Sequence, residues 1–113
     1  MLRYLTDREN FGYALKKARS GDTSMMLLVA NAYKDPEKWP QGKDFKNSFT
    51  WYKKAAEQGR HVAMLQLARA YWRGEGTEKN YDIAKEWILK AKNSGANNGT
   101  VERALARLEK LKK

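Results

Sequence analysis

The strongest constraint in this sequence is that its landmarks return. Tyr33 follows Gly21 by twelve residues, Trp51 follows Tyr33 by eighteen, and Gly59 follows Trp51 by eight. From Gly59 the series begins again, with Tyr71 at twelve, Trp87 at sixteen and Gly95 at eight. The mismatch of two residues falls in the segment DPEKWPQGK, where an insertion lengthens a loop and spares the helices. A period of this length marks stacked supersecondary units, because one unit cannot bury its apolar face without its neighbours.

Other positions keep the same register. Met26 corresponds to Met64, Val29 to Leu67, Ala30 to Ala68, Ala32 to Ala70 and Ala55 to Ala91. Asp44 and Asn80, both good N-cap types, precede Phe45 and Tyr81 at one offset. Each unit therefore reads as a helix pair. The first helices span about 22–34 and 60–73, and the second span about 45–58 and 81–94. Gly59 and Gly95 suit the left-handed position that closes a helix C-terminus. Upstream, Tyr13 lies eight residues before Gly21, as the tryptophans do before their glycines. Downstream, Val101, Ala104, Leu105, Leu108 and Leu111 share one helical face. The expected fold is an all-α solenoid of about six helices. It divides into a half repeat over 1–20, repeats over 21–58 and 59–94, and a capping helix over 95–113.

These landmarks resemble the Sel-one-like repeat family, relatives of the tetratricopeptide repeats. The second unit carries Ala63, Leu67, Ala68 and Tyr71, then GEGTEKNYDIA, Trp87, Ala91 and Gly95, and WYKKAAEQG matches the end of a repeat. The first unit departs by lacking counterparts of Gly74 and Gly76, and the last helix has Arg107 where a tyrosine is due. The resemblance implies a right-handed superhelical scaffold for protein–protein contact, of the kind used by bacterial adaptors and regulators. It implies no catalysis and no cofactor.

On the tetratricopeptide analogy the first helices line a concave groove. Its positions are Ser24, Leu27, Asn31 and Lys34 in one unit, and Val62, Leu65, Arg69, Trp72 and Arg73 in the next. Of these, Asn31, Lys34, Leu65, Arg69, Trp72 and Arg73 are the candidate partner-binding residues. A tryptophan beside two arginines has the composition of an interface hot spot. Trp72 aligns with Lys34 and has no aromatic counterpart, so packing against its own loop is the competing reading. Trp39, in the inserted segment, reads as a plug for the long loop. Trp51 and Trp87 read as inter-helix core. Lys16, Lys54 and Lys90 stand five residues before their glycines and read as a solvated column.

Charge sets the alternatives. With 23 Lys and Arg against 13 Asp and Glu, the net charge of +10 attracts acidic proteins, nucleic acid or anionic surfaces. The basic residues are spread along the chain, which weakens a nucleic-acid reading; the repeat match and the Trp–Arg cluster make an acidic or extended protein segment the expected partner. Self-association through Val101–Leu111, or through Leu2, Leu5 and Phe11, is a third possibility. The absence of cysteine removes disulfides, thiol catalysis and cysteine-ligated zinc. His61 is the single histidine, so paired-histidine metal sites and conventional triads have little to build on. GEG at 74–76 lacks the preceding strand and following Lys-Ser/Thr of a phosphate loop. Asp7 and Glu9 leave no apolar stretch near the N-terminus, and the longest apolar run, Met25–Ala30, is too short to span a bilayer. A cytoplasmic setting is expected.

Overall fold

The computed structural model describes residues 7–35, 44–96 and 99–112. Within them the chain forms six α-helices and no strand: α1 (Asp7–Arg19), α2 (Thr23–Lys34), α3 (Phe45–Glu57), α4 (His61–Arg73), α5 (Tyr81–Asn93) and α6 (Thr100–Lys112). Trp39 lies outside the described residues, as do Leu2 and Leu5. Each helix packs against its sequence neighbours, and α4 also meets α6. The resulting body measures 51 × 27 × 21 Å, the elongated outline of hairpins stacked along one axis.

Equivalent residues meet equivalent fates. Val29 and Leu67, Ala30 and Ala68, and Ala55 and Ala91 are all fully buried, and Met26 and Met64 are buried to the same degree. Alanine at the crossing points lets helix backbones approach closely, so larger side chains fill the spaces beside them. Tyr52 and Ile88 occupy one register position, and both are buried. Ser48, whose counterpart is Ala84, donates from Oγ to the carbonyl of Ala30 at 2.7 Å, which satisfies a buried hydroxyl.

The junctions are built from local chemistry. Asp44 accepts from the Asn47 N–H and Asn80 from the Ile83 N–H, each at 3.0 Å, starting α3 and α5 alike. The Asp44 N–H donates to the Tyr33 carbonyl, and the Asn80 N–H to the Tyr71 carbonyl. The two inserted residues thus lie between closure points that the repeats share. Gly21, Gly59 and Gly95 adopt φ of +106°, +92° and +105°, and a Cβ on any of them would meet nothing within 4 Å. Backbone conformation, and not crowding, selects glycine there. Gly76 differs, because a Cβ would fall 2.1 Å from the Phe45 carbonyl oxygen. The loop after α4 is pressed directly onto the first turn of α3.

The helical ends are used differently from the expectation of open apolar faces. Phe11 is buried and meets Tyr33 edge-on at 5.2 Å. Val101 and Leu108 are buried, Ala104 and Leu105 are partly covered, and Leu111 alone of that face is exposed. The apolar stripe of α6 is therefore largely consumed by packing on α5 and α4.

Candidate functional site

The helices α2, α4 and α6 form one wall of the solenoid. Arg60, the residue before α4, ties its start to that of α2 by donating from Nη1 to Thr23 Oγ1 at 3.1 Å and Ser24 Oγ at 3.4 Å. Farther along, Lys34 Nζ donates to Gln66 Oε1 at 3.4 Å. On this wall lies a groove with two lobes that share Arg69 and Gln66.

The larger lobe is a cleft of about 390 Å³ between α4 and α6. Leu65, Trp72 and Ala104 give it apolar surface, with Gln66 and Thr100 at its polar margins. Arg69 and Arg73 reach it from α4, and Arg103 and Arg107 from α6. Both pairs are spaced four residues apart, so each forms a short cationic row along its helix. Thr100 brings the N-terminal end of α6 to the cleft, adding the positive end of the helix dipole. Among the described residues, no acidic one lines this lobe. Arg103 and Arg107 also border a neighbouring hollow with Ala106, Lys110 and Leu111, which extends the basic surface along α6.

The smaller lobe is nearly filled. Lys34, Phe45, Ser48, Phe49, Tyr52, Gln66, Arg69, Ala70 and Glu75 line it. Tyr52, buried from α3, donates its hydroxyl to Asn31 Oδ1, and its ring lies 4.9 Å from the Lys34 ammonium. Burial pushes the Tyr52 hydroxyl pKa well above the ordinary tyrosine value. Burial also lowers the Lys34 pKa, and the Arg69 and Arg73 charges add to that, while Glu75 opposes it. Lys34 is thus a cation held among cations with one carboxylate near. Glu75 Oε2 stands 3.9 Å from Arg73 Nη1.

The six candidate residues do not share one site. Leu65, Arg69, Trp72 and Arg73 line the larger lobe, Lys34 joins Arg69 in the smaller one, and Asn31 is held by Tyr52 at its edge. Trp72 is partly buried against the core while it borders the cleft, so packing and groove roles coincide in one side chain. Of the other concave positions, Val62 is exposed and Ser24 is engaged by Arg60. Sequence reasoning missed Tyr52, Gln66, Glu75, Arg103 and Arg107. Arg107 carries a legible signal, a cation where the repeat has a tyrosine.

One expectation needs correction. Trp51 is buried, whereas Trp87 packs against the core but is only partly buried. The lysine column is solvated as expected, with Lys16, Lys54 and Lys90 all exposed, and two of the three also cover rings. Lys54 lies 4.7 Å from the Trp51 ring centroid and Lys90 lies 4.4 Å from that of Trp87, whereas Tyr13 is met by Lys17 and not by Lys16. These lysines shield the landmark aromatics. Among the described residues, no group of His, Cys, Asp and Glu gathers as metal ligands, and no helix is long and apolar enough to cross a membrane. His61 opens α4 with its Nδ1 buried and unbonded.

Comparison with solved structures gives several likenesses. A Sel1 repeat protein from Oxalobacter formigenes superposes with a TM-score of 0.80 at 25% identity, over 92% of this chain and 29% of its own. Cysteine rich protein B of Helicobacter pylori gives 0.75 at 20% identity, over 83% of this chain and 69% of its own. The protective antigen c5321 of uropathogenic Escherichia coli, which displays an SLR fold, gives 0.65 at 22% identity, over 89% and 24%. The last two likenesses concern the fold alone. This chain spans less than a third of the length of the Oxalobacter protein. Comparison with curated proteins gives no match. The Sel1 repeat family model matches residues 26–59 and 61–95. With two matched repeats over more than half its residues, the chain belongs to the Sel1 repeat family, whose members are typically non-catalytic scaffolds for protein–protein contact.

Proposed function

We propose that this protein binds an acidic, extended segment of another protein along the groove of α2, α4 and α6, without catalysis. The observation that carries the reading is the larger lobe, where Arg69, Arg73, Arg103 and Arg107 surround the apolar surface of Leu65, Trp72 and Ala104. Guanidinium groups bind carboxylates through paired hydrogen bonds, and a tryptophan beside them supplies the anchoring area of a hot spot. Lys34 and Asn31 lie beyond the larger lobe toward α2, Lys34 in the nearly filled smaller lobe and Asn31 held by Tyr52. Such a protein acts as a small adaptor or inhibitor, of which a toxin-neutralising immunity protein is one form.

The test removes charge from both walls while sparing Trp72, whose contact with the core would confound the result. The R69A/R103A double variant should weaken capture of an acidic peptide by about thirtyfold, a loss of hot-spot size. Its unfolding midpoint should fall by no more than the equivalent of about 1 kcal/mol, since Arg103 is exposed and Arg69 half-buried. Unchanged capture would remove the groove assignment. Nucleic acid is the competing occupant suggested by the charge of +10. It predicts affinity falling by about 0.9 log units per phosphate contact per decade of salt. The buried Trp51 and the lysine-covered Trp87 offer no free stacking platform for bases.

A further inference from the structure

The groove already contains a carboxylate of its own. Glu75 is the acidic residue among those lining either lobe, and it lies where Lys34, Arg69 and Tyr52 converge, 3.9 Å from Arg73. Its backbone is fixed from both sides. Gly74, at φ +70°, closes α4 in the left-handed conformation, and the Glu75 N–H donates to the Ala70 carbonyl at 2.9 Å. Gly76, at φ +80°, is pressed against the Phe45 carbonyl so closely that no Cβ fits. Two glycines thus deliver one acidic side chain into a basic groove, in the GEG stretch that had no assigned use.

We propose that Glu75 is a built-in carboxylate that occupies the Lys34–Arg73 end of the groove in place of a partner's acidic side chain, so that it sets the strength with which an acidic segment binds. The inference rests on the groove reading above. Three observations support displacement over a purely structural role. The Glu75–Arg73 pair is long and both side chains retain solvent contact, which is the geometry of a weak ion pair. The smaller lobe is nearly filled with Glu75 among its lining side chains, while the adjoining lobe stays open. The cations outnumber the carboxylate, with Lys34, Arg69 and Arg73 around it, so a second anion is still drawn to them.

The test uses a fluorescently labelled oligo-glutamate peptide, titrated by anisotropy at fixed salt against wild type, E75Q and E78Q. Both substitutions remove one negative charge from the same loop, but Glu78 is exposed and outside both lobes. E75Q should tighten binding by about two- to fivefold, the range set by a part-exposed ion pair. E78Q should change it by less than about 1.5-fold, the response of a solvent-screened charge. In an R73A background the E75Q gain should shrink, because the cation it frees is absent. Equal responses of E75Q and E78Q, or a full gain without Arg73, overturn the inference and leave the groove reading intact. Failure of wild type and all variants to bind the peptide overturns both.

Discussion

The α3–α4 and α5–α6 junctions stand at the same point of successive repeats and are built differently. At the first, Phe49 and Tyr71 meet edge-on at 5.4 Å, repeating the Phe11–Tyr33 contact between α1 and α2. The phenylalanines stand ten residues before Gly21 and Gly59, and the tyrosines twelve after them. Around Gly95 those offsets hold Lys85 and Arg107. The ring pair that joins successive units is thus absent from the last junction, and Arg107 borders the cleft instead. A repeat protein can release one junction from packing duty and use its position for binding. The helix survives because Val101 and Leu108 still bury the stripe below.

Three variants break or sharpen this contrast. The largest effect should come from Gly76→Ala, which drives a Cβ into the Phe45 backbone at the tighter junction. It should cost about 3 kcal/mol or more, at the upper end of single-substitution effects, measured by denaturant unfolding. A loss below about 1 kcal/mol would mean that the loop gives way freely, against the usual cost of strained backbone. Next, the double variant K85F/R107Y writes the missing ring pair into the last junction. Stability should rise by about 0.5–1.5 kcal/mol from the aromatic contact. Peptide binding should weaken at once, because the cleft loses a guanidinium; a stabilised variant with undiminished binding would separate Arg107 from the site.

The smallest effect distinguishes the caps. Hydrogen bonds from Asn47 hold the Asp44 carboxyl below its ordinary pKa. Because the folded-state pKa is the lower one, the stabilisation is present above the unfolded-state value, near pH 4 for aspartate, and is lost as pH falls through the folded-state value. Unfolding followed from pH 5 to pH 2 should therefore show a component in wild type that D44N lacks. Asn80, which caps α5 through a neutral amide, has no such component.

How much was legible follows from the same physics. The paired caps Asp44 and Asn80, the glycines at 21, 59 and 95, and the buried alanines place the helices to within a residue or two, since each rule acts within a few residues of the chain. The groove was legible along α4, whose Leu65, Arg69, Trp72 and Arg73 share one helical face, and at Lys34 of α2. Arg103 and Arg107 belong to a helix whose tilt against α4 no local rule reports. Tyr52 lies on the other layer, and only the packing of α3 brings its hydroxyl to Asn31.

The sequence by itself determined six helices, their order and the repeat that relates them, because propensity, capping and periodic burial are properties of neighbouring residues. Tertiary structure alone decided that two arginine pairs face one cleft and that Glu75 turns into the groove. Distances between helices depend on how whole faces pack, and electrostatic interactions depend on those distances.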